Sequence, residues 1–252
     1  MKLFISIFCA IAAVAAENYC DPKLCEPFPN YNLGPHIACP GNYQNKCNGK
    51  GKEVPITPDL KKAILNKHNG CRNDLAGGRV PGFSSAGNMP EMTWDDELAF
   101  IASKNAMNCN FDHDKCRSTR RFKQAGQNLA VKWLSGQTMD DKTFVENAID
   151  SWWNEYKQAD QSVIDSYHSN GAVIGHFTQM AHEEAHKIGC AISMYPESKV
   201  ISGKNWDGIT RYLVCNYATT NIRDRPIYKK GSPTSACKGG RSKNYSNLCN
   251  SE

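Results

Sequence analysis

The stretch Gly175-His176-Phe177-Thr178-Gln179-Met180-Ala181-His182-Glu183-Glu184-Ala185-His186-Lys187-Ile188-Gly189-Cys190 supports two incompatible readings. In the first, His182-Glu183-Glu184-Ala185-His186 fits the pattern H-E-x-x-H. Two imidazoles at i and i+4 share one helical face, where they can hold zinc while the intervening Glu183 polarises a bound water. In the second, the informative residues are the flanks, Gly175 to Met180 and Gly189-Cys190, and the two histidines between them are incidental.

The downstream sequence weighs against zinc. A metzincin protease needs a third ligand six residues after the second histidine, and Ile192 stands there. Lys187 to Tyr195 alternates, with Ile188, Cys190, Ile192 and Met194 on one side, which reads as a strand. A strand starting directly after His186 leaves little room for a catalytic helix, and the second-helix glutamate of a thermolysin-like site is also missing. His182, Glu183, Glu184 and His186 are therefore expected to be polar residues on an exposed turn.

Working outward, Arg211 to Tyr217 reads as a second strand, joined to the first by a long hairpin loop, Pro196 to Gly208. Three helices precede this pair. Thr57 to Gly78 has Thr57 as N-cap, Pro58 in the first turn and Gly77-Gly78 as its stop. Leu60, Ile64, His68, Cys71 and Leu75 share one of its faces. Thr93 to Asn108 opens on a Thr93/Asp96 capping pair. Its Trp94, Leu98, Ile101 and Asn105 share a face with Cys109, and a short loop then carries His113 and Cys116. Thr143 to Tyr156 carries the stripe Phe144, Ala148 and Trp152, widened by Val145, Ile149, Trp153 and Tyr156. Glu155 at the end of such a packed stripe needs a partner. Helices and antiparallel strands outside βαβ order indicate a layered α+β domain.

Met1-Lys2, the apolar run Leu3 to Val14 and the small Ala15-Ala16 form a secretory signal with cleavage after Ala16. That run is too short to span a membrane, and no other approaches one. The formal charge of +5 is mild, and no basic block is dense enough to argue for nucleic acid. Of the 12 cysteines, Cys9 leaves with the signal. The odd remainder, in an oxidising compartment, points to a disulfide framework with at least one unpaired thiol. Cys71, on an apolar helix face, is that thiol, buried and inert. Residues 17–56 form a cysteine-rich lead-in held by disulfides rather than by its own core, and 57–228 form the main domain. Residues 229–252 form a basic, solvated tail with the N-glycosylation sequon Asn244-Tyr245-Ser246 between Cys237 and Cys249.

Several pieces, in order, resemble one family. They are Cys20-Asp21-Pro22-Lys23-Leu24-Cys25, His36-Ile37-Ala38-Cys39, His68-Asn69 with Arg72, and Trp94-Asp95 with Leu98-Ala99. Gly126-Gln127-Asn128, Trp152-Trp153-Asn154-Glu155, Gly175 to Met180, and Tyr212-Leu213-Val214-Cys215-Asn216-Tyr217 complete the set. From Cys20 to Tyr228 the chain resembles the CAP superfamily, in the antigen 5 branch of insect venoms and the saliva of blood-feeding flies. His182 departs from it, because that family usually has Trp there.

The resemblance implies a disulfide-stabilised, three-layer α-β-α sandwich around a central antiparallel sheet. It implies the pairs Cys20–Cys39, Cys25–Cys116, Cys47–Cys109 and Cys190–Cys215, leaving Cys237–Cys249 to pair locally. It also implies a central cleft at His113, Gln127, Glu155 and His176, with Gln127 where the family usually has Glu. Two imidazoles, His113 and His176, with one carboxylate can hold a divalent ion such as zinc or copper weakly. The favoured reading is that these groups hydrogen-bond one another and that no cofactor is required. No Ser/His/Asp or Cys/His arrangement emerges. The function implied is that of a secreted, non-enzymatic binding protein for small hydrophobic molecules or host extracellular factors, modulating host defence or haemostasis. The competing reading is a metal-dependent enzyme, either a zinc hydrolase or a redox centre at a histidine-bound metal. No Arg-Gly-Asp tripeptide occurs, which disfavours integrin binding.

Overall fold

A computed structural model describes residues 17–42, 47 and 49–251; the signal sequence 1–16 lies outside them. Five strands form one sheet in the order β1-β4-β5-β3, with β2 paired to β4. They are β1 (Lys52–Val54), β2 (Thr93–Trp94), β3 (Gly126–Leu134), β4 (Lys187–Ile201) and β5 (Lys204–Tyr217). All ladders are antiparallel except the two-residue β2–β4 pair. The helices are α1 (Pro58–Ala76), α2 (Asp96–Ala106), α3 (Asp141–Asn154), α4 (Gln161–Asp165) and α5 (Gly175–Ala181).

Alternation along β4 and β5 builds the three layers. Cys190, Ile192, Leu213, Cys215 and Tyr217 pack against Ile64 of α1 and Val145, Ile149 and Trp152 of α3. Ala191, Tyr212 and Val214, on the opposite face, meet Ala102 and Ala106 of α2. The chain is thus an α+β, helix–sheet–helix sandwich. Gly189 has a packing reason: a Cβ there would collide with the backbone of Asp95 and Ala99 where α2 begins. Five disulfides, Cys20–Cys39, Cys25–Cys116, Cys47–Cys109, Cys190–Cys215 and Cys237–Cys249, brace the layers and both terminal segments.

The structure corrects four expectations. Residues 196–208 are not a loop: β4 and β5 run on to Ile201 and Lys204 and turn at Ser202-Gly203, with φ of 51° and 75°. Two consecutive positive φ values suit a tight hairpin turn whose twist matches the flanking strands. Thr93 does not cap the second helix. It pairs with Lys187, and Asp95 caps instead, accepting from the Leu98 N–H. The third helix starts earlier, capped by Asp140, and tightens to a 3₁₀ turn from Glu155.

Finally, the C-terminal segment is not a solvated tail. Leu248 is fully buried in a cluster with Leu75, Met89 and Phe177. Backbone hydrogen bonds tie Cys249 to Met89 and to Glu91.

Candidate functional site

Four elements converge on one cleft beside the sheet. Its cavity of about 420 Å³ is lined by His113, Gln127, Asn128, His176, Gln179 and Asn221, among others. His113 comes from the loop after α2, Gln127 from the start of β3, and His176 from the first turn of α5. Glu155, where α3 ends, reaches His176 from behind.

Glu155 is fully engaged. One carboxylate oxygen lies 2.6 Å from His176 Nδ1, and the other accepts from the His176 and Phe177 N–H groups at 2.9 and 3.1 Å. These N–H groups open a helix and have no intrahelical partner, so a carboxylate suits them in both hydrogen bonding and dipole. The His176 ring also stacks on Trp152, with centroids 5.9 Å apart and planes 14° apart.

Gln127 organises the other wall. Its Nε2 donates to Asp114 Oδ2 at 2.7 Å and to Asn216 Oδ1 at 3.0 Å, while its Oε1 lies 2.7 Å from His113 Nδ1. An amide oxygen only accepts, so His113 carries its proton on Nδ1. Asn216 faces Gln127 across the β3–β5 ladder. Beneath the cleft, Asn128 donates to the Tyr217 hydroxyl at 3.2 Å, and that hydroxyl meets His68 Nε2 at 2.9 Å. His68 donates from Nδ1 to the Ile64 carbonyl, and full burial pushes its pKa down to about 4, so it is a neutral member of this network.

These partners bear on the metal reading. The two cleft imidazoles line one cavity, but the carboxylate is spent on His176 and backbone N–H groups, and an amide occupies the fourth position. Among the described residues, no three His, Cys, Asp or Glu side chains come together in a way that could hold a metal ion. The cleft thus offers a divalent ion the Nε2 atoms of His113 and His176 and no uncommitted carboxylate, because the Nδ1 atoms are held by Gln127 and Glu155.

The H-E-x-x-H reading fails for a separate reason. The helix stops at Ala181, and His182 has extended backbone with ψ of 123°. The five residues therefore share no helical face. They are also less exposed than expected. His182 is 5% exposed, and burial, aided by the nearby Arg72 charge, pushes its pKa down to about 4. Glu183 is half-buried, accepts from the Lys229 N–H at 3.0 Å, and has its pKa raised by desolvation. The organiser is Arg72, fully buried on α1. Its guanidinium donates to the carbonyls of Pro90, Met180 and His182 at 2.8–3.2 Å. Burial without a paired carboxylate lowers its pKa to about 9.

Cys71 is the free cysteine among the described residues. It packs partly buried against the main core, and desolvation pushes its thiol up to about 12. A thiol so rarely ionised is a poor nucleophile.

Comparison with known proteins settles the lineage. Residues 65–217 match the family model described as "CAP: Cysteine-rich secretory protein family". The chain belongs to the CAP family. A relative, Venom allergen-1 of Aedes aegypti, is 44% identical over 237 residues, covering 92% of this chain and 87% of that protein. Antigen 5 like allergen Cul n 1 of Culicoides nubeculosus is 37% identical, covering 77% of this chain and 91% of that one. Among solved structures, BmVAL-1 superimposes with a TM-score of 0.59 at 27% identity, covering 78% of this chain and 96% of that one. NaASP2, a CAP structure solved with Zn2+, has a TM-score of 0.57 at 25% identity, covering 77% and 96%. That zinc belongs to NaASP2; the present chain sets Gln127 and a committed Glu155 in its own cleft.

Asp114, Arg117, Asn128 and Asn216 were not singled out as site residues from the sequence. Asp114 and Arg117 sit close to His113 in the chain and pair at 2.8 Å. Their signal was proximity to His113, whereas Asn216 is placed only by strand register.

Proposed function

We propose that this chain is a secreted, non-enzymatic binding protein of the antigen 5 type. In venom or saliva it takes up a small hydrophobic molecule, or engages a host extracellular protein, and so modulates host defence or haemostasis. Similarity to venom allergens and five disulfides suited to an oxidising compartment support the secreted assignment. The observation that carries the non-enzymatic reading is the cleft itself. Glu155, Gln127 and both imidazole Nδ1 atoms are engaged with one another, and among the described residues no activated nucleophile faces the cavity.

A hydrophobic ligand has a seat in the groove between β3 and α3. It has a volume of about 260 Å³, with Ala130, Val131, Met139, Phe144 and Ala148 as its apolar lining and Lys132, Asn147 and Ser151 beside them. Binding of a fluorescent fatty acid to secreted protein tests this. Saturable binding that Ala130→Trp abolishes, without lowering the melting temperature, supports the reading; unchanged binding by that variant rejects the groove.

A protein partner is the second reading, favoured by the tip of the β4–β5 ribbon. Val200 is 71% exposed there, and Ile201 and Trp206 are each 47% exposed. Ile201 and Trp206 share one face of the ribbon and Val200 stands on the other, and exposed apolar side chains grouped on one face are characteristic of interaction surfaces.

A further inference from the structure

A second cavity is larger than the cleft. It is a groove of about 850 Å³ between α1 and the C-terminal segment. One wall is α1, with Lys61, Lys62 and Asn66; the other is Lys243, Asn244 and Tyr245. The volume lies within the range of about 300–1,000 Å³ typical of small-ligand sites. Asn244-Tyr245-Ser246 is the only N-x-S/T sequon in the chain.

The loop that carries the sequon is held in place. The Cys237–Cys249 disulfide closes it, Ser242 N–H donates to the Leu248 carbonyl at 2.9 Å, and Asn247 N–H donates to Asn73 Oδ1 of α1 at 2.9 Å. Ser242 Oγ accepts from the Asn244 and Tyr245 N–H groups. Asn244 is exposed, yet its amide is directed: Nδ2 donates to Glu91 Oε1 at 3.0 Å, and Glu91 lines the groove. Any group built on Nδ2 therefore starts at the lip of the cavity.

We propose that Asn244 carries an N-linked glycan whose first sugars lie in this groove and close it. In the attachment step, C1 of the oligosaccharide leaves its lipid-linked diphosphate and bonds to Asn244 Nδ2, which loses one proton. The amide keeps one N–H, which is still a donor for Glu91. The walls suit an N-acetylglucosamine pair. Tyr245 offers an aromatic face with a polar tip, anchored by its hydroxyl to Asn66 at 3.3 Å. The ammonium groups of Lys62 and Lys243 are donors for hydroxyl and acetamide oxygens, and neither is in an ion pair among the described residues. The glycan would pin the C-terminal segment to α1. The groove would then be occupied by the protein's own sugar and closed to a host ligand.

The test uses protein secreted from insect cells. Intact mass should show a glycan on the wild type that is absent from Asn244→Gln and Ser246→Ala. Acetylation footprinting of the native proteins then reads the seating. Lys61, Lys62 and Lys243 should react several-fold more slowly in glycosylated wild type than in either variant or in enzymatically deglycosylated wild type, while Lys132 reacts equally in all. Unglycosylated wild type overturns the proposal outright. A glycan with equal lysine reactivity in all forms overturns the seating. Deglycosylation of folded wild type keeps the comparison free of any folding defect in the variants.

Discussion

Two histidine neighbourhoods lie within one short segment of this chain and differ in kind. His176 opens α5 and faces a cavity, with its ring stacked on Trp152 and its Nδ1 held by Glu155. His182 and His186 follow the end of that helix, on a turn wrapped around the guanidinium of Arg72. The second pair has the spacing of a zinc site and none of its geometry. Spacing yields a ligand set only when the backbone is helical through both residues, and here the helix ends at Ala181, before either of them.

Removing the organiser of the turn should have the largest effect. Arg72→Met leaves the Pro90, Met180 and His182 carbonyls buried without their donor. We expect it to cost about 3–5 kcal/mol, the scale seen when a buried charged network loses one member. Urea denaturation with disulfides intact checks this, and a loss comparable to an exposed substitution would mean that the turn is not built on Arg72. In the cleft, Glu155→Gln keeps an acceptor but loses the charge that serves His176 and two helix N–H groups. A destabilisation of about 1–3 kcal/mol is expected from weakening such charge-assisted bonds.

Acid should find both neighbourhoods at once. His68 and His182 have folded pKa values pushed from 6.5 to about 4 by burial. When pH falls below 6.5 the unfolded chain takes up protons that the folded chain refuses. Stability is therefore complete above pH 6.5 and declines as pH falls toward 4. Thermal melts across that window check the sign. His68→Gln or His182→Gln should flatten the slope.

The smallest effects should come from the zinc-like residues themselves. Glu183→Gln retains an oxygen to accept from Lys229 N–H, and the His186 side chain bonds to the nearby Glu184 carbonyl. Glu183→Gln and His186→Ala should each change stability by about 1 kcal/mol or less.

What the sequence made legible follows from how local each signal was. Thr57 and Pro58 mark the start of α1 with a cap and a ring that suit a first turn, and the structure places both there. Thr93 imitates a cap, but its partner is Lys187, far along the chain, so no local pattern could exclude it. Residues 196–208 read as a loop because the ribbon projects past the helices, and neither face needs the alternation that marks a half-buried strand. Strand β3 is not among the elements read from the sequence, although its Gly126-Gln127-Asn128 opening carries part of the family resemblance; its register with β5 is what brings Gln127 to Asn216. The cleft residues are scattered from 113 to 176, so composition and periodicity alone would not have grouped them. Family resemblance suggested that set, while the hydrogen bonds that commit Glu155 and Gln127 needed coordinates.

Native mass spectrometry of the secreted protein, run beside His176→Ala and His186→Ala, tests the central claim most directly. The account predicts a chain without stoichiometric zinc, a small apolar molecule retained by wild type and His186→Ala, and no chelator-sensitive peptidase activity. One zinc per chain, lost in His186→Ala but kept in His176→Ala, with a peptidase activity abolished by Glu183→Gln, would contradict it.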